Sequence, residues 1–154
     1  MTIAYRLARK KYPIELSGKG AAKRGARWNS PGTEVIYAAE SRALAMAEVA
    51  VHLTIATLPD DFVMLEIGFS DSVSVLTLSE DFLPEDWNAF PHPASTQRTG
   101  DDFVRELKAG VLRVPSAVVQ GDHNLLINPA HADFSQIKII NQADFPFDKR
   151  LFKS

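Results

Sequence analysis

The run from Ser41 to about Thr57 constrains the fold most, because Ala, Leu and Met dominate it and neither Gly nor Pro interrupts it. Ser41 offers a side-chain oxygen to the first free N–H groups, so the run predicts an α-helix that begins there. At about 100° per residue, Ser41, Ala45, Glu48 and His52 share one face, while most other positions are apolar. Such a helix is built to be buried, and Glu48 projects from it as a carboxylate in apolar company. An unpaired buried charge is costly, so this side chain needs an internal partner or a ligand. His52, one turn further on, is the candidate internal partner.

Around this helix the chain reads as short strands. Arg27–Asn29 and Glu34–Ala38 flank Ser30-Pro31-Gly32, a turn sequence. Phe62–Phe69 alternates and is β-rich, with Val63, Leu65, Ile67 and Phe69 on one side. Val73–Leu78, Val111–Val114, Ala117–Val119, Leu125–Ile127 and Ile137–Ile140 add further short strands. Residues 83–98 carry several prolines and predict an irregular loop with Trp87 and Phe90 tucked beneath it. Thr99 and Asp102 resemble a capping pair for a second helix through Lys108. The expected architecture is α+β, with short-stranded central sheets and a buried helix carrying Glu48. At 154 residues, with no repeat or linker, the expectation is a single domain over residues 1–154.

Composition removes several classes of function. There is no cysteine, so disulfides, thiolate metal sites and a cysteine nucleophile are excluded. That absence fits a reducing, cytoplasmic setting. The opening MTIAYRLARKKY lacks the apolar core of a secretory signal, and no run approaches the ~20 apolar residues of a membrane span. His52, His92, His123 and His131 lack metal-ligand spacing, so no metal is expected. Residues 17–25 read as a flexible loop. Gly20 and Gly25 have Walker spacing, but Ala26-Arg27 stands where Lys-Ser/Thr belongs, and Lys23 replaces the third glycine of a dinucleotide fingerprint.

The net charge is −2, but it is unevenly spread. Arg6, Arg9, Lys10, Lys11, Lys19, Lys23, Arg24 and Arg27 face Glu15 as the only acid before Trp28, whereas acids predominate afterwards. A basic end on an acidic body suggests an anionic ligand or partner. The acidic body argues against extended nucleic-acid contact, which makes a non-enzymatic nucleic-acid-binding module a distant alternative.

Arg27, Tyr37 and Glu48 fall close together in sequence, each in apolar company and each on a separate expected element. Arg27 has two readings, a structural cation–π or salt-bridge arginine beside Trp28 or a guanidinium fork for a phosphate. Tyr37 is either a core tyrosine with a satisfied hydroxyl or a ring that stacks on a flat heterocycle. A ligand carboxylate at Glu48 would stabilise positive charge developing on a sugar carbon. Ser116 follows Val114-Pro115 without a nucleophile elbow, so a serine hydrolase is not expected. Asn128, at a strand end before Pro129, could donate to a ligand.

Taken in order, these pieces resemble a known family. Ser17-Gly18-x-Gly20-Ala21, Gly25-x-Arg27-Trp28-Asn29, Val35-Ile36-Tyr37 and Ala43-Leu44-Ala45 with Glu48 and His52 make up the first half. Val114-Pro115-Ser116-Ala117-Val118-Val119, Asn128-Pro129-x-His131 and Phe147-Asp148-x-Arg150-Leu151 complete it. The set resembles the RES-domain toxins of bacterial toxin–antitoxin modules, with Ala26 departing from a position where glycine is common. The resemblance implies a fold akin to ADP-ribosyltransferases, consumption of NAD as substrate without a further cofactor, and neutralisation by a helix-turn-helix (Xre-type) antitoxin. It implies that Arg27, Tyr37, Glu48 and Ser116 form the active site and that Trp28 and Asn128 help to bind substrate. Hydrolysis or phosphorolysis of the nicotinamide–ribose bond is the expected reaction, with mono-ADP-ribosylation of a macromolecule as the alternative. Self-association is left open.

Overall fold

A computed structural model describes residues 1–152. Its strands are β1 (Thr2–Arg9), β2 (Ile36–Ala39), β3 (Phe62–Phe69), β4 (Val75–Thr77), β5 (Val111–Pro115), β6 (His123–Ile127) and β7 (Lys138–Asp144). Its α-helices are α1 (Lys19–Arg24), α2 (Arg42–Ala50) and α3 (Ala94–Glu106). The strands form one seven-stranded sheet in the order β4-β5-β6-β2-β1-β3-β7. Neighbours are antiparallel except for the parallel pair β4–β5. The α+β expectation holds, with one sheet rather than several. Among the described residues, no helix is long and apolar enough to cross a membrane.

Both faces of the sheet are covered at its centre, while the edge strands β4 and β7 stay largely exposed. Ala4, Ile36, Ile67, Val111 and Ile127 pack together on one face. Their neighbours in the strands point the opposite way and split into two clusters. Leu112, Val114 and Leu126 meet Trp28, Trp87 and Phe103 of the α3 side. Leu7, Ala39, Phe62 and Met64 meet Leu44 and Ala45 of α2. A cleft opens between these two clusters. The double covering also explains β3, which is buried on both sides except at Glu66 rather than alternating.

Several elements depart from the sequence expectation, each for a local reason. Strand β1 was hidden by its arginines, whose side chains are only partly exposed while Ala4 and Leu7 are buried. Residues 19–24 form a short helix, not a loop. Arg27–Asn29 is no strand; an isolated bridge between Ala26 and Asn29 closes it into a tight turn. Helix α2 starts as expected, with Ser41 Oγ accepting the Leu44 N–H at 3.0 Å. It ends at Ala50, where the His52 and Leu53 N–H groups turn back to Val49 and Ala50 carbonyls at 3.0 Å each. Only Leu44 and Ala45 of α2 are buried, so Glu48 rides on a half-buried helix rather than a buried one.

Helix α3 begins before Thr99, whose hydroxyl bonds back to the Ser95 carbonyl at 3.0 Å instead of capping. Gly100 lies within it because α3 rests directly on the Trp28 backbone. A Cβ there would come within 1.5 Å of the Trp28 carbonyl oxygen. Ala117–Val119 is a bend, not a strand. Trp87 is buried as expected, but Phe90 is 77% exposed.

Candidate active site

Arg27 and Trp28 occupy the tip of the Ala26–Asn29 turn. Gly25 leads into it at φ 73°, a left-handed conformation that glycine adopts without penalty. Ala26 keeps an ordinary negative φ, so the residue where glycine is common in the family fits here without strain. Asn29 is completely buried and holds the turn from within. Its Nδ2 donates to the carbonyls of Ala21 (3.0 Å), Ser30 (3.3 Å) and Thr33 (3.0 Å). Its Oδ1 accepts the Tyr37 hydroxyl at 2.6 Å, and the same hydroxyl accepts the Trp28 N–H at 3.1 Å. The Tyr37 hydroxyl is thus fully engaged, and burial pushes its pKa above the ordinary tyrosine value. It is a strut that fixes the Arg27 turn to β2, not a proton donor to substrate.

Across the cleft, Glu48 meets Ser116. The Ser116 Oγ donates to Glu48 Oε1 at 2.7 Å and accepts the N–H groups of Val118 (3.1 Å) and Val119 (3.0 Å). This explains the bend at Ala117–Val119: the backbone curls around the hydroxyl and sets the direction of its proton. Ser116 is 4% exposed and does not line the cleft, whereas Glu48 does. Ser116 therefore acts through Glu48 by fixing the plane of its carboxylate. The expected Glu48–His52 pair is not formed among the described residues; His52 is exposed and lines the cleft.

The cleft has a volume of about 630 Å³, enough for a dinucleotide-sized ligand. Arg27 lines it, with Nη1 donating to the carbonyls of Trp87 and Ala89 at 2.9 Å each. Burial pulls the Arg27 pKa below its ordinary value, with Glu48 and Tyr37 opposing. The guanidinium keeps Nε and Nη2 free of protein hydrogen bonds among the described residues. Arg27 makes no stacked cation–π contact with Trp28. The Trp28 ring packs on Trp87 instead, with centroids 6.1 Å apart, and is 3% exposed. Trp28 thus contributes wall rather than a binding group.

Arg6 is the residue that sequence reasoning missed. It lines the cleft, and its Nη1 donates to the Tyr37 carbonyl at 2.7 Å. It reaches this point because β1 and β2 pair at a single register position, Tyr5 with Ala39, where the sheet is loosely closed. Burial lowers its pKa as well. The available signal was one arginine inside the β-forming run Ile3-Ala4-Tyr5-Arg6-Leu7. Asn88, Phe90, His92 and Asn124 also line the cleft. Two of the other N-terminal cations are ion-paired on the surface: Arg9 with Asp61, and Lys10 with Asp144 at 2.7 Å.

Asn128 is not brought to the cleft. It is completely buried, with Nδ2 donating to the Val104 carbonyl at 3.1 Å and Oδ1 accepting the Ala130 N–H at 3.0 Å. It ties the end of α3 to the exit of β6. The cleft therefore gathers two arginines (Arg6 and Arg27), two tyrosines (Tyr5 and Tyr37) and one carboxylate, Glu48. That set can grip an anion, face a flat ring and stabilise a developing cation on a sugar.

Residues 3–148 match the RES domain. The chain is 38% identical over 141 residues to a Prs ADP-ribosylating toxin of a Sphingobium species, covering 90% of this chain and 88% of that protein. It is 37% identical over 154 residues to Toxin Res of Photorhabdus laumondii, covering 99% and 98%. Among solved structures, a chain of the Mycobacterium tuberculosis MbcT–MbcA toxin–antitoxin complex shares the fold, with TM-score 0.73 and 23% identity over 94% of this chain and 84% of that one.

Proposed function

This chain belongs to the RES-domain family, and on that premise we propose that it is the toxin of a bacterial toxin–antitoxin pair that depletes NAD by breaking the nicotinamide–ribose bond. The observation that carries the reading is Glu48, oriented by Ser116 and facing a cleft that also holds Arg6, Arg27 and Tyr37. Arg27 and Arg6 take the pyrophosphate, and the Tyr37 ring faces the nicotinamide. Glu48 bonds the ribose hydroxyls and stabilises the oxocarbenium-like carbon as the bond breaks. The nicotinamide leaves with the electron pair of that bond, so a cationic ring departs neutral and needs no general acid. A nucleophile then bonds to that sugar carbon and releases its proton to solvent.

The acceptor divides the two enzyme readings. Water or inorganic phosphate gives glycohydrolase or phosphorylase activity. A macromolecular side chain gives mono-ADP-ribosylation, which the name of the Sphingobium relative favours. Incubation with labelled NAD, with and without phosphate, followed by product masses, separates them. Small-molecule ADP-ribose or its phosphate adduct supports depletion; label retained on protein or nucleic acid supports transfer; intact NAD removes both. The antitoxin partner, of helix-turn-helix type, and a cytoplasmic site of action are part of the same proposal. A salt series with DNA or RNA tests the nucleic-acid module, whose binding falls steeply as salt rises. Against that module stands the cation placement, since Arg6 and Arg27 sit in the cleft and Arg9 and Lys10 are ion-paired.

A further inference from the structure

Residues 87–92 reverse the ordinary placement of polar and apolar groups. Phe90 is 77% exposed, while two positions on, the His92 Nδ1 is buried without a hydrogen-bond partner among the described residues. The uncovered Phe90 ring, with exposed Asn88 beside it, is available to a ligand in the cleft. The segment is also held in place. Trp87 is buried against Trp28, and the Trp87 and Ala89 N–H groups bond the Pro84 (3.1 Å) and Asp86 (3.0 Å) carbonyls. Arg27 grips the carbonyls of Trp87 and Ala89 from below. The Phe90 ring meets the His92 ring at 85° with centroids 5.7 Å apart, which sets its orientation but leaves it uncovered.

This platform borders the cleft next to Arg27. Arg27 bonds the carbonyls of Trp87 and Ala89, on either side of Asn88 and next to Phe90, and shares the cleft lining with Glu48. NAD is a linear molecule in which the pyrophosphate separates the nicotinamide ribose from the adenosine. With the ribose at Glu48 and the pyrophosphate at Arg27, the adenosine reaches the Asn88–Phe90 platform. An exposed aromatic ring offers a face for stacking, and a primary amide offers a donor and an acceptor to a purine edge. We propose that Phe90 and Asn88 form the subsite for the adenine base of NAD. The inference rests on the NAD-cleaving reading and deepens it. It makes this platform the element that distinguishes the dinucleotide from its nicotinamide half.

The test compares kcat/KM for NAD with that for nicotinamide mononucleotide, which lacks the adenylyl half, in the full chain and in Phe90→Ala, Phe90→Trp and Asn88→Ala. The ratio of the two falls about tenfold in Phe90→Ala and is retained in Phe90→Trp, as loss and keeping of one base–aromatic stack predict. Asn88→Ala lowers the preference for NAD over its hypoxanthine counterpart, whose purine edge exchanges a donor for an acceptor. An unchanged NAD-to-mononucleotide ratio in Phe90→Ala overturns the subsite while NAD cleavage stands. Calorimetric binding of AMP separates the two claims from the other side. Binding that weakens about tenfold in Phe90→Ala, in a protein that leaves NAD intact, supports the subsite and removes the cleavage.

Discussion

At the inner wall of the cleft and just behind it, Tyr37, Asn29 and Ser116 have their polar side-chain atoms matched by neighbours, whereas on the outer wall Phe90 stands 77% exposed and His92 Nδ1 is unpaired among the described residues. Asn29 and Tyr37 are 8 residues apart, whereas Ser116 meets Glu48 across 68 residues of chain. Their hydrogen bonds over-determine where Arg27 and Glu48 sit, which is what a reacting centre requires. The outer wall is a single local segment held by its backbone, with the exposed Asn88 and Phe90 side chains turned to the cleft. On the proposed reading, chemistry and substrate range fall to different parts of one cleft, and the two should respond differently to substitution.

The largest effect is expected at the inner wall. Glu48→Ala lowers kcat for NAD by about 10²–10³, the usual cost of losing one electrostatic stabiliser. Arg27→Ala lowers kcat/KM by a similar factor and also frees the outer segment from its two carbonyl bonds. Near-normal NAD consumption by purified Glu48→Ala would separate Glu48 from the chemistry. Gly100→Ala comes next and acts without touching the ligand. Helix propensity alone favours Ala, yet the new methyl would collide with the Trp28 carbonyl, so the variant loses about 3 kcal/mol, read as a lower Tm. An unchanged Tm would mean that α3 does not bear on the Arg27 turn. Ser116→Ala is milder, lowering kcat about tenfold with little change in KM, because Glu48 keeps its charge but loses its orientation. A change confined to KM would make Ser116 a substrate contact instead.

The same contrast explains what could be read from the chain. Glu48 was legible because a lone carboxylate on an Ala-rich helix breaks the local pattern. Ser41 was legible as a cap because capping depends only on neighbouring residues. Arg6 was not, since its importance comes from the loose β1–β2 pairing, a tertiary property. Asn128 and Asn29 look alike as lone asparagines before turns, yet one ties α3 to β6 and the other props the Arg27 turn, and neither lines the cleft. Phe90 was expected under its loop because burial is the default for phenylalanine. Its exposure shows only when the backbone of Trp87 and Ala89 is seen tied to Arg27.

The smallest expected effect concerns pH and the outer wall. Burial, with Arg27 and His52 nearby, lowers the His92 pKa from its ordinary 6.5. Between the lowered folded value and 6.5 the unfolded chain binds the proton more readily, so stability rises with pH across that window. The contribution is present above 6.5 and is lost as pH falls through the folded value. The lowered carboxylates Asp61, Asp133 and Asp148 act in the acid range below 3.8, outside the interval between about pH 7.5 and about pH 5.5. Thermal melts at about pH 7.5 and about pH 5.5 should show a fall in Tm for the unmodified chain and a smaller fall for His92→Gln, which keeps a polar side chain but cannot take up the proton. Equal falls would mean that the imidazole is solvated in the folded protein. The outer wall would then resemble an ordinary surface loop rather than a preformed edge of the cleft.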